Sequence, residues 1–263
     1  MLLIVSIILL SILALLPDAD VDHDAGYTAS ELSIRETVDG SVISTSHVNP
    51  DGVITNAIDM GYATVCRMQD DDDRVVEERY LDANGYPVAR YENFHGLSYE
   101  YDETSTVIAY LDVEGNPIIR SDGYSTIVRT QVDGRAYDDF FYDLNGQQVQ
   151  CSGGYYGLRR GYNAEGQDIS LAFLDKDGHA VCTSSGYAIM TYQRDMNGTV
   201  VGKQYFDTDG NPVRSSLGKY GEFYQRNEQG YTGQITYLDA DGNPAPTNAG
   251  SVSYTHLRAH ETL

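Results

Sequence analysis

Hydrophobic and polar positions recur along this chain with a period of about 32 residues. A column of glycines marks the period, and its members are Gly52, Gly85, Gly115, Gly146, Gly178, Gly210 and Gly242. The same phrase surrounds most of these glycines, as in YLDANGYPV from Tyr80 and YFDTDGNPV from Tyr205. Self-similarity at a fixed spacing predicts a tandem array over residues 46–250, in which each repeat packs mainly on its neighbours.

Each repeat carries two turn signals about sixteen residues apart, with short runs of β-branched and aromatic residues between them. Asp-Gly and Asn-Gly pairs favour turns because glycine accepts positive φ without strain. Runs such as GYAIMTYQ and VVGKQYF are too short for stable helices and have the composition of strands. The sequence therefore predicts an all-β fold, a solenoid-like tandem array of β-hairpins with two hairpins in each repeat and no helix after Leu16.

Three columns of apolar side chains accompany the turns. Two of them are adjacent in the sequence, and adjacent strand residues point to opposite faces of a sheet. We therefore expect an apolar ladder on each face, which stacked repeats can bury although one hairpin cannot. The columns are Tyr80, Tyr110, Phe141, Phe173, Tyr205 and Tyr237; Leu81, Leu111, Tyr142, Leu174, Phe206 and Leu238; and Tyr62, Phe94, Tyr124, Tyr155, Tyr187 and then Lys219.

The first sixteen residues, MLLIVSIILLSILALL, are an uncharged apolar run. A helix needs about 20 apolar residues to cross a hydrocarbon core, and the run lacks the basic start of a secretory signal. We expect residues 1–16 to be a hydrophobic helix that serves as a membrane anchor, or the end of a truncated transmembrane helix. A buried core helix is the alternative. Residues 17–45, which begin with PDADVDHD, are predicted to be a polar linker.

The last thirteen residues, SVSYTHLRAHETL, have no counterpart in the repeats. Residues 252–262 resemble one translated reading frame of a widely used sequencing adapter. The resemblance implies that residues 251–263 are an adapter artefact outside the fold, and that the gene is truncated at its 3′ end.

The Tyr-x-Asp-x-x-Gly phrase is similar to the hairpin repeats of bacterial surface proteins, the YD-repeat and WG-type arrays among them. The resemblance extends over most of the chain, from about Val48 to Gly250. It implies a β-hairpin array at a bacterial cell surface. The period of about 32 residues and the absence of Trp differ from these families. No ligand is therefore carried over from either of them.

The charge of the chain excludes several kinds of partner. It has 39 Asp and Glu residues against 17 Lys and Arg, with a formal net charge of −22. Nucleic acids and anionic lipid headgroups are bound by clustered Lys and Arg, so neither is expected as a partner. The three cysteines match no disulfide framework and no metal spacing. Cys151 and Cys182 lie one repeat apart and are expected to be a free, buried pair.

No catalytic or cofactor-binding motif is present, so we expect neither enzymatic activity nor a cofactor. Asp207 and Asp209 before Gly210 invite a calcium interpretation, but the spacing does not match the ligands of an EF-hand loop. We expect these aspartates, and the run Asp70–Asp73, to form turns rather than a metal site.

Tyrosine is the remaining candidate for a binding role, because 22 residues are Tyr and each ring combines an apolar face with a hydroxyl. The regular columns are expected to be core ladders. The candidate ligand-binding residues are therefore those outside the columns, namely Tyr91, Tyr99, Tyr156, Tyr162 and Tyr231.

These observations favour a non-catalytic, membrane-anchored repeat module at the cell membrane, with the array facing outside the cytoplasm. Its expected role is adhesion or the binding of cell-wall or surface glycan, and its expected membrane contact is through residues 1–16. One alternative is an accessory repeat region of a larger membrane enzyme that modifies envelope polymers. Another is the repeat shell of a truncated toxin. The oligomeric state does not follow from the sequence.

Overall fold

The structure, a computed structural model, describes residues 26–90, 93–226 and 232–255. In these ranges the chain is all-β apart from one turn of 3-10 helix at Ala29–Glu31. The predicted fold class, a tandem array of β-hairpins, is confirmed. The hydrophobic helix predicted for residues 1–16 lies outside the described residues, as do the candidate residues Tyr91 and Tyr231.

Fifteen strands lie in the described residues. They are β1 (Ser33–Asp39), β2 (Val42–Val48), β3 (Thr64–Gln69), β4 (Val75–Leu81), β5 (Gly96–Tyr101), β6 (Ser105–Leu111), β7 (Thr126–Val132), β8 (Arg135–Tyr142), β9 (Gly157–Tyr162), β10 (Asp168–Leu174), β11 (Ile189–Arg194), β12 (Val200–Phe206), β13 (Gly221–Arg226), β14 (Thr232–Leu238) and β15 (Ser253–Thr255).

The chain divides into two compact units. The first holds the described residues up to Arg129 together with Tyr142–Gln147, and the second holds Thr130–Phe141 and the described residues from Gln148 onward. In the first unit, strands β1 to β6 pair antiparallel in the order of the chain. In the second unit, strands β8 to β15 do the same. The repeats therefore have one topology in both units.

Each repeat contains one long hairpin whose two faces differ. Leu97 lies opposite Tyr110 in the pair β5–β6, and Met190 lies opposite Tyr205 in β11–β12. Directly opposite residues of an antiparallel pair share a face, so the first aromatic column lies on one face, here called the aromatic face. Tyr80 on this face and its neighbour in sequence, Leu81, are each 2% exposed.

A shorter hairpin follows each long one and is closed by a single bridge, as between Leu81 and Pro87. In its turn the amide of Gly85 donates to the carbonyl of Asp82 at 3.0 Å, and Gly85 has a φ of +81°. A third turn, which was not predicted from the sequence, comes next. Its glycines also have positive φ, and they are Gly61, Gly123, Gly154, Gly186, Gly218 and Gly250. Each repeat in the central array is therefore built around three turns.

The array begins earlier than predicted. A polar linker was expected over residues 17–45. From Ser33 onward this prediction is wrong, because β1 and the first part of β2 lie there. Gly40, with a φ of +58°, lies in the two-residue turn between these strands. Both strands carry β-branched residues typical of strands, but they lack the Tyr-x-Asp-x-x-Gly phrase that was used to delimit the array.

The array also extends further than predicted at the other end. β15 lies within residues 251–263, which were expected to form no part of the fold, and Tyr254 pairs with Ile235 of β14. A sheet edge offers free amides and carbonyls, and backbone pairing with it needs no particular side chains. The resemblance of this segment to an adapter stays a prediction.

Deletion of one complete repeat, residues 173–204, should shorten the array without unfolding it. The deletion joins Ala172 to Tyr205, so the end of β12 replaces the end of β10 and packing between neighbours is kept. Deletion of residues 173–188 joins Ala172 to Ile189 and runs β10 directly into β11 without a turn. Circular dichroism should show cooperative thermal unfolding for the first variant only. Equal melting curves for the two variants would contradict these repeat boundaries.

Candidate functional site

A continuous ladder of rings runs along the aromatic face of each unit. Neighbouring ring centroids are 5.0–5.9 Å apart in the first unit, along Tyr62, Tyr80, Phe94, Tyr110 and Tyr124. They are 4.4–5.9 Å apart in the second unit, along Phe141, Tyr155, Phe173, Tyr187 and Tyr205. Ring pairs at this spacing contribute about 0.5–1.5 kcal/mol beyond their burial. Two aromatic columns that are separate in the sequence thus form one ladder.

The backbone explains why the two columns interleave. The amide of Tyr80 donates to the carbonyl of His95 at 3.2 Å, and the amide of His95 donates to the carbonyl of Leu111 at 2.8 Å. Phe94 precedes His95 and is therefore held between Tyr80 and Tyr110, close to both rings. The same backbone pattern recurs in the second unit.

Two arginines cover the ladder of the first unit. The guanidinium carbon of Arg90 lies 5.3 Å from the ring centroid of Tyr80, and that of Arg120 lies 4.6 Å from the ring centroid of Tyr110. Arg120 also donates to the hydroxyl of Tyr110 at 2.8 Å and forms an ion pair with Asp122. Burial raises the pKa of the Tyr80 hydroxyl above its usual value of 10.0. This part of the ladder is core, as expected for the columns.

Arg90 and Arg120 stand at the first position of the third turn in their repeats. The third turns of the second unit have shorter side chains at this position. The amide of Gly186 donates to the carbonyl of Thr183, as that of Gly123 does to Arg120, and Cys151 takes this position one repeat earlier. Neither threonine nor cysteine is long enough to extend across a ring as arginine does. Three rings around Thr183 are half-buried, whereas Phe141 and Tyr205 of the same unit and the rings of the first unit are less than one tenth exposed. These three residues, here called the open ladder, are Tyr155, Phe173 and Tyr187.

Hydroxyl groups border the open ladder. The turns that precede its tyrosines contain the exposed residues Ser152, Ser184 and Ser185. The hydroxyl of Thr183 donates to the carbonyl of Tyr187 at 3.1 Å, which holds the turn against the ring. Ring faces with polar groups at their rim suit a ligand that has both apolar and hydroxyl-bearing surfaces.

The last complete repeat replaces an apolar pair of the ladder with an ion pair. Lys219 takes the position of a ring, and its ammonium lies 4.9 Å from the ring centroid of Tyr237. Glu222 lies opposite Tyr237, where the other repeats have an apolar residue such as Leu97 or Leu158. Lys219 and Glu222 form an ion pair. The repeat thus keeps the geometry of the ladder with different chemistry.

Glu222 is 7% exposed and has several partners. Lys203 lies directly opposite it and approaches it at 3.2 Å, and the hydroxyl of Tyr224 donates to it at 2.7 Å. Burial alone would raise the pKa of Glu222. The hydrogen bonds from Lys219 and Tyr224 and the charge of Lys203 outweigh burial, so its pKa lies below the usual value of 4.5.

Replacing Lys219 and Glu222 by the residues typical of the other repeats should show how the ion pair changes the free energy of unfolding. The single variant Lys219→Tyr leaves Glu222 buried with one cationic partner fewer, and should lower the free energy of unfolding by about 3 kcal/mol. The double variant Lys219→Tyr/Glu222→Leu completes the ladder and should match or exceed the parent in stability. Urea denaturation of the three proteins measures both effects. A double variant less stable than the single variant would contradict this interpretation.

The candidate tyrosines predicted from the sequence do not come together in one site. Tyr99 belongs to the first unit, is half-buried and stacks on Tyr101 with ring centroids 6.4 Å apart. Burial raises its pKa. Tyr156 and Tyr162 belong to the second unit and are also half-buried. A ligand-binding role for these residues stays a prediction.

Tyr162 belongs to a series of long side chains that tie successive repeats together. Each member stands at the end of the first strand of a hairpin and donates to the backbone carbonyl of the residue 26 positions earlier. The pairs are Tyr101 with Val75 at 2.7 Å, Tyr162 with Ala136 at 2.6 Å, Arg194 with Asp168 at 2.8 Å, and Arg226 with Val200 at 3.2 Å. The column could not be recognised from residue type, because tyrosine holds the position in two repeats and arginine holds it in two later ones.

The aspartates of the turns are used by the turns themselves. One carboxylate oxygen of Asp207 accepts the amides of Asp209 at 2.9 Å and Asn211 at 2.8 Å. Asp70 accepts the amides of Asp72 and Arg74 in the same way. A short acceptor at this position satisfies the backbone of the turn. The turn interpretation of these carboxylates is therefore supported by their contacts.

Acid should destabilise the array through these turns. Hydrogen bonds from backbone amides hold the pKa of the Asp143 and Asp207 carboxyls below the usual value of 3.8. A group with a lowered pKa in the folded state stabilises above its unfolded pKa and loses that effect as pH falls through the folded pKa. The free energy of unfolding should therefore decrease below about pH 4.

The variant Asp207→Asn keeps an acceptor oxygen but no longer titrates, so its stability should depend less on pH in this range. Asp209→Asn is the matched control, because Asp209 joins the turn through its amide. Urea denaturation at a series of pH values tests this, and equal pH dependence of the two variants would contradict it.

The cysteines are free, and their burial differs from expectation. Cys66 and Cys151 are buried, whereas Cys182 is exposed. The expected buried pair of Cys151 and Cys182 is therefore corrected. Cys151 is the first residue of its turn and is buried. One repeat later the equivalent position is Thr183, and Cys182 comes one residue before it, so the two cysteines do not occupy the same position in their repeats.

Residues 26–90, 93–226 and 232–255 contain neither a candidate metal site nor a candidate membrane-spanning helix. No group of three His, Cys, Asp or Glu side chains in these ranges could hold a metal ion. None of the helical segments there has the length and apolar character needed to cross a membrane. The comparisons with known proteins gave no match, either to a family model or to a curated protein.

Proposed function

We propose that this protein is a non-catalytic binding module that holds cell-wall or surface glycan on the open ladder of its second unit. The observation that carries the proposal is that Tyr155, Phe173 and Tyr187 lie in a row and are only half-buried, whereas their counterparts in the first unit are buried under arginine. Sugar rings offer apolar faces and hydroxyl groups, which match ring faces bordered by serine hydroxyls.

The charge of the protein narrows the class of glycan. A net charge of −22 repels polyanions at a distance and slows their association. The ligand proposed for the open ladder is therefore a neutral or amino-sugar polymer. We place the module outside the cytoplasm, with residues 1–16 as its membrane anchor.

Cosedimentation of the detergent-solubilised full chain with insoluble chitin and with purified peptidoglycan tests the proposal. The variant Tyr187→Ala should weaken binding about tenfold, which is the loss of about 1.4 kcal/mol expected for one stacking ring. Tyr187→Phe keeps the ring and should bind within about twofold of the parent.

Tyr86→Ala is the matched control, because Tyr86 is an exposed ring outside the ladder, with 60% of its surface accessible. This variant should bind like the parent. The proposal would be overturned if the parent protein sedimented with neither chitin nor peptidoglycan. Equal binding by the Tyr187→Ala and Tyr86→Ala variants would also overturn it. Circular dichroism of each variant verifies that the fold is kept.

A further inference from the structure

β1 is an exposed edge of the sheet in the first unit. All seven of its residues are exposed, and Ile34 and Val38 have 59% and 66% of their surface accessible. Within the described part of the chain, β1 pairs with β2 and no strand lies on its other side. The β1–β2 register has no shift, unlike that of β3–β4. A long, regular edge with exposed apolar residues is a template for another strand.

The hairpin turn determines which backbone groups face outward. Asp39 pairs with Val42 across a two-residue turn, and such a closing pair is hydrogen-bonded. Hydrogen-bonded and non-hydrogen-bonded pairs alternate along an antiparallel ladder. The residues that direct their amides and carbonyls away from β2 are therefore Ile34, Glu36 and Val38.

We propose that β1 pairs antiparallel with β1 of a second copy of this chain, about a twofold axis that passes through Thr37. In this register Arg35 lies opposite the partner's Asp39, and the reverse contact forms on the other side of the axis. Thr37 lies opposite the partner's Thr37. Opposite charges and threonine pairs at directly opposite positions stabilise a sheet.

The outward backbone groups agree with this register. Glu36 and the partner's Val38 form the hydrogen-bonded pairs, which uses the groups that β2 leaves free. Arg35 and the partner's Asp39 then form a non-hydrogen-bonded pair, in which side chains are closest. Of the two neighbouring registers that pair the same outward-facing residues, one places Glu36 opposite its own copy, and like charges at opposite positions destabilise a sheet. The other places Val38 opposite its own copy and loses the pair of Arg35 with the partner's Asp39.

Disulfide trapping tests the pairing in the full chain, solubilised in mild detergent. The exposed Cys182 is first replaced by serine. In the T37C variant the two introduced cysteines would have Cα atoms about 4.5 Å apart, within the range of a disulfide. In the E36C control they would be two positions out of register. Mild oxidation should therefore give the T37C dimer about tenfold faster than the E36C dimer.

A charge swap tests the basis of the register. In the T37C background, Asp39→Arg places two arginines opposite each other and should slow dimer trapping severalfold. The double change Arg35→Asp/Asp39→Arg restores opposite charges and should recover most of the rate. Arg35 also donates to the carbonyl of Gly52 at 2.8 Å, so circular dichroism must show that the hairpin is kept.

Three outcomes would overturn the proposal. A T37C protein that is not trapped and sediments as a monomer shows that β1 does not pair with a second copy, whether residues 1–25 of the same chain cover the edge or not. Faster trapping of E36C than of T37C shows a different register. Failure of the charge swap to recover the rate shows that Arg35 and Asp39 do not set the pairing.

Discussion

Ring-on-ring packing between consecutive strands is the interaction on which both units of this array depend. A single two-stranded hairpin is marginally stable in water, because it cannot bury the apolar side chains on its two faces. Here Phe94 is held between Tyr80 and Tyr110, so that each ring is covered by the strands before and after its own. The stability of a repeat is therefore mainly a property of its contacts with the next one. Repeats can then vary independently wherever they do not touch their neighbours.

The two units show what such variation can do on one backbone. The third turn of each repeat presents its first residue to the ladder, and that residue is Arg120 in the first unit and Thr183 in the second. Arginine covers the rings with an apolar stem and a planar cation, and the ladder becomes core. Around Thr183 the rings are only half-buried, while the turn and the ladder keep their geometry. In this repeat, packing surface thus becomes partly exposed, and this is the surface proposed above to bind a ligand.

Much of this arrangement could be predicted from the sequence. The glycine column and the Tyr-x-Asp-x-x-Gly phrase predict the hairpins, because positive φ and strand alternation leave a direct trace in residue types. The merging of two aromatic columns could not be predicted in the same way, since it depends on the hydrogen bonds of His95 with two neighbouring strands. β1 and β2 were missed for the opposite reason, because they form ordinary strands without the phrase. For the open ladder the sequence did hold a signal, which is the change from Arg120 to Thr183. This signal can be interpreted only once the structure shows that the third turn places this residue beside the rings.

Part of the acidity of the chain follows from the same turn chemistry. An aspartate at the start of a turn accepts two backbone amides, as Asp143 and Asp207 do, and such a residue recurs with the period of the fold. Its negative charge is therefore a consequence of building many turns, and no cation is needed to explain it. The accumulated charge still acts on everything that approaches the protein. It disfavours anionic polymers at the aromatic face without any contact there, so the residues that determine the fold also restrict the ligands that can be proposed for the open ladder.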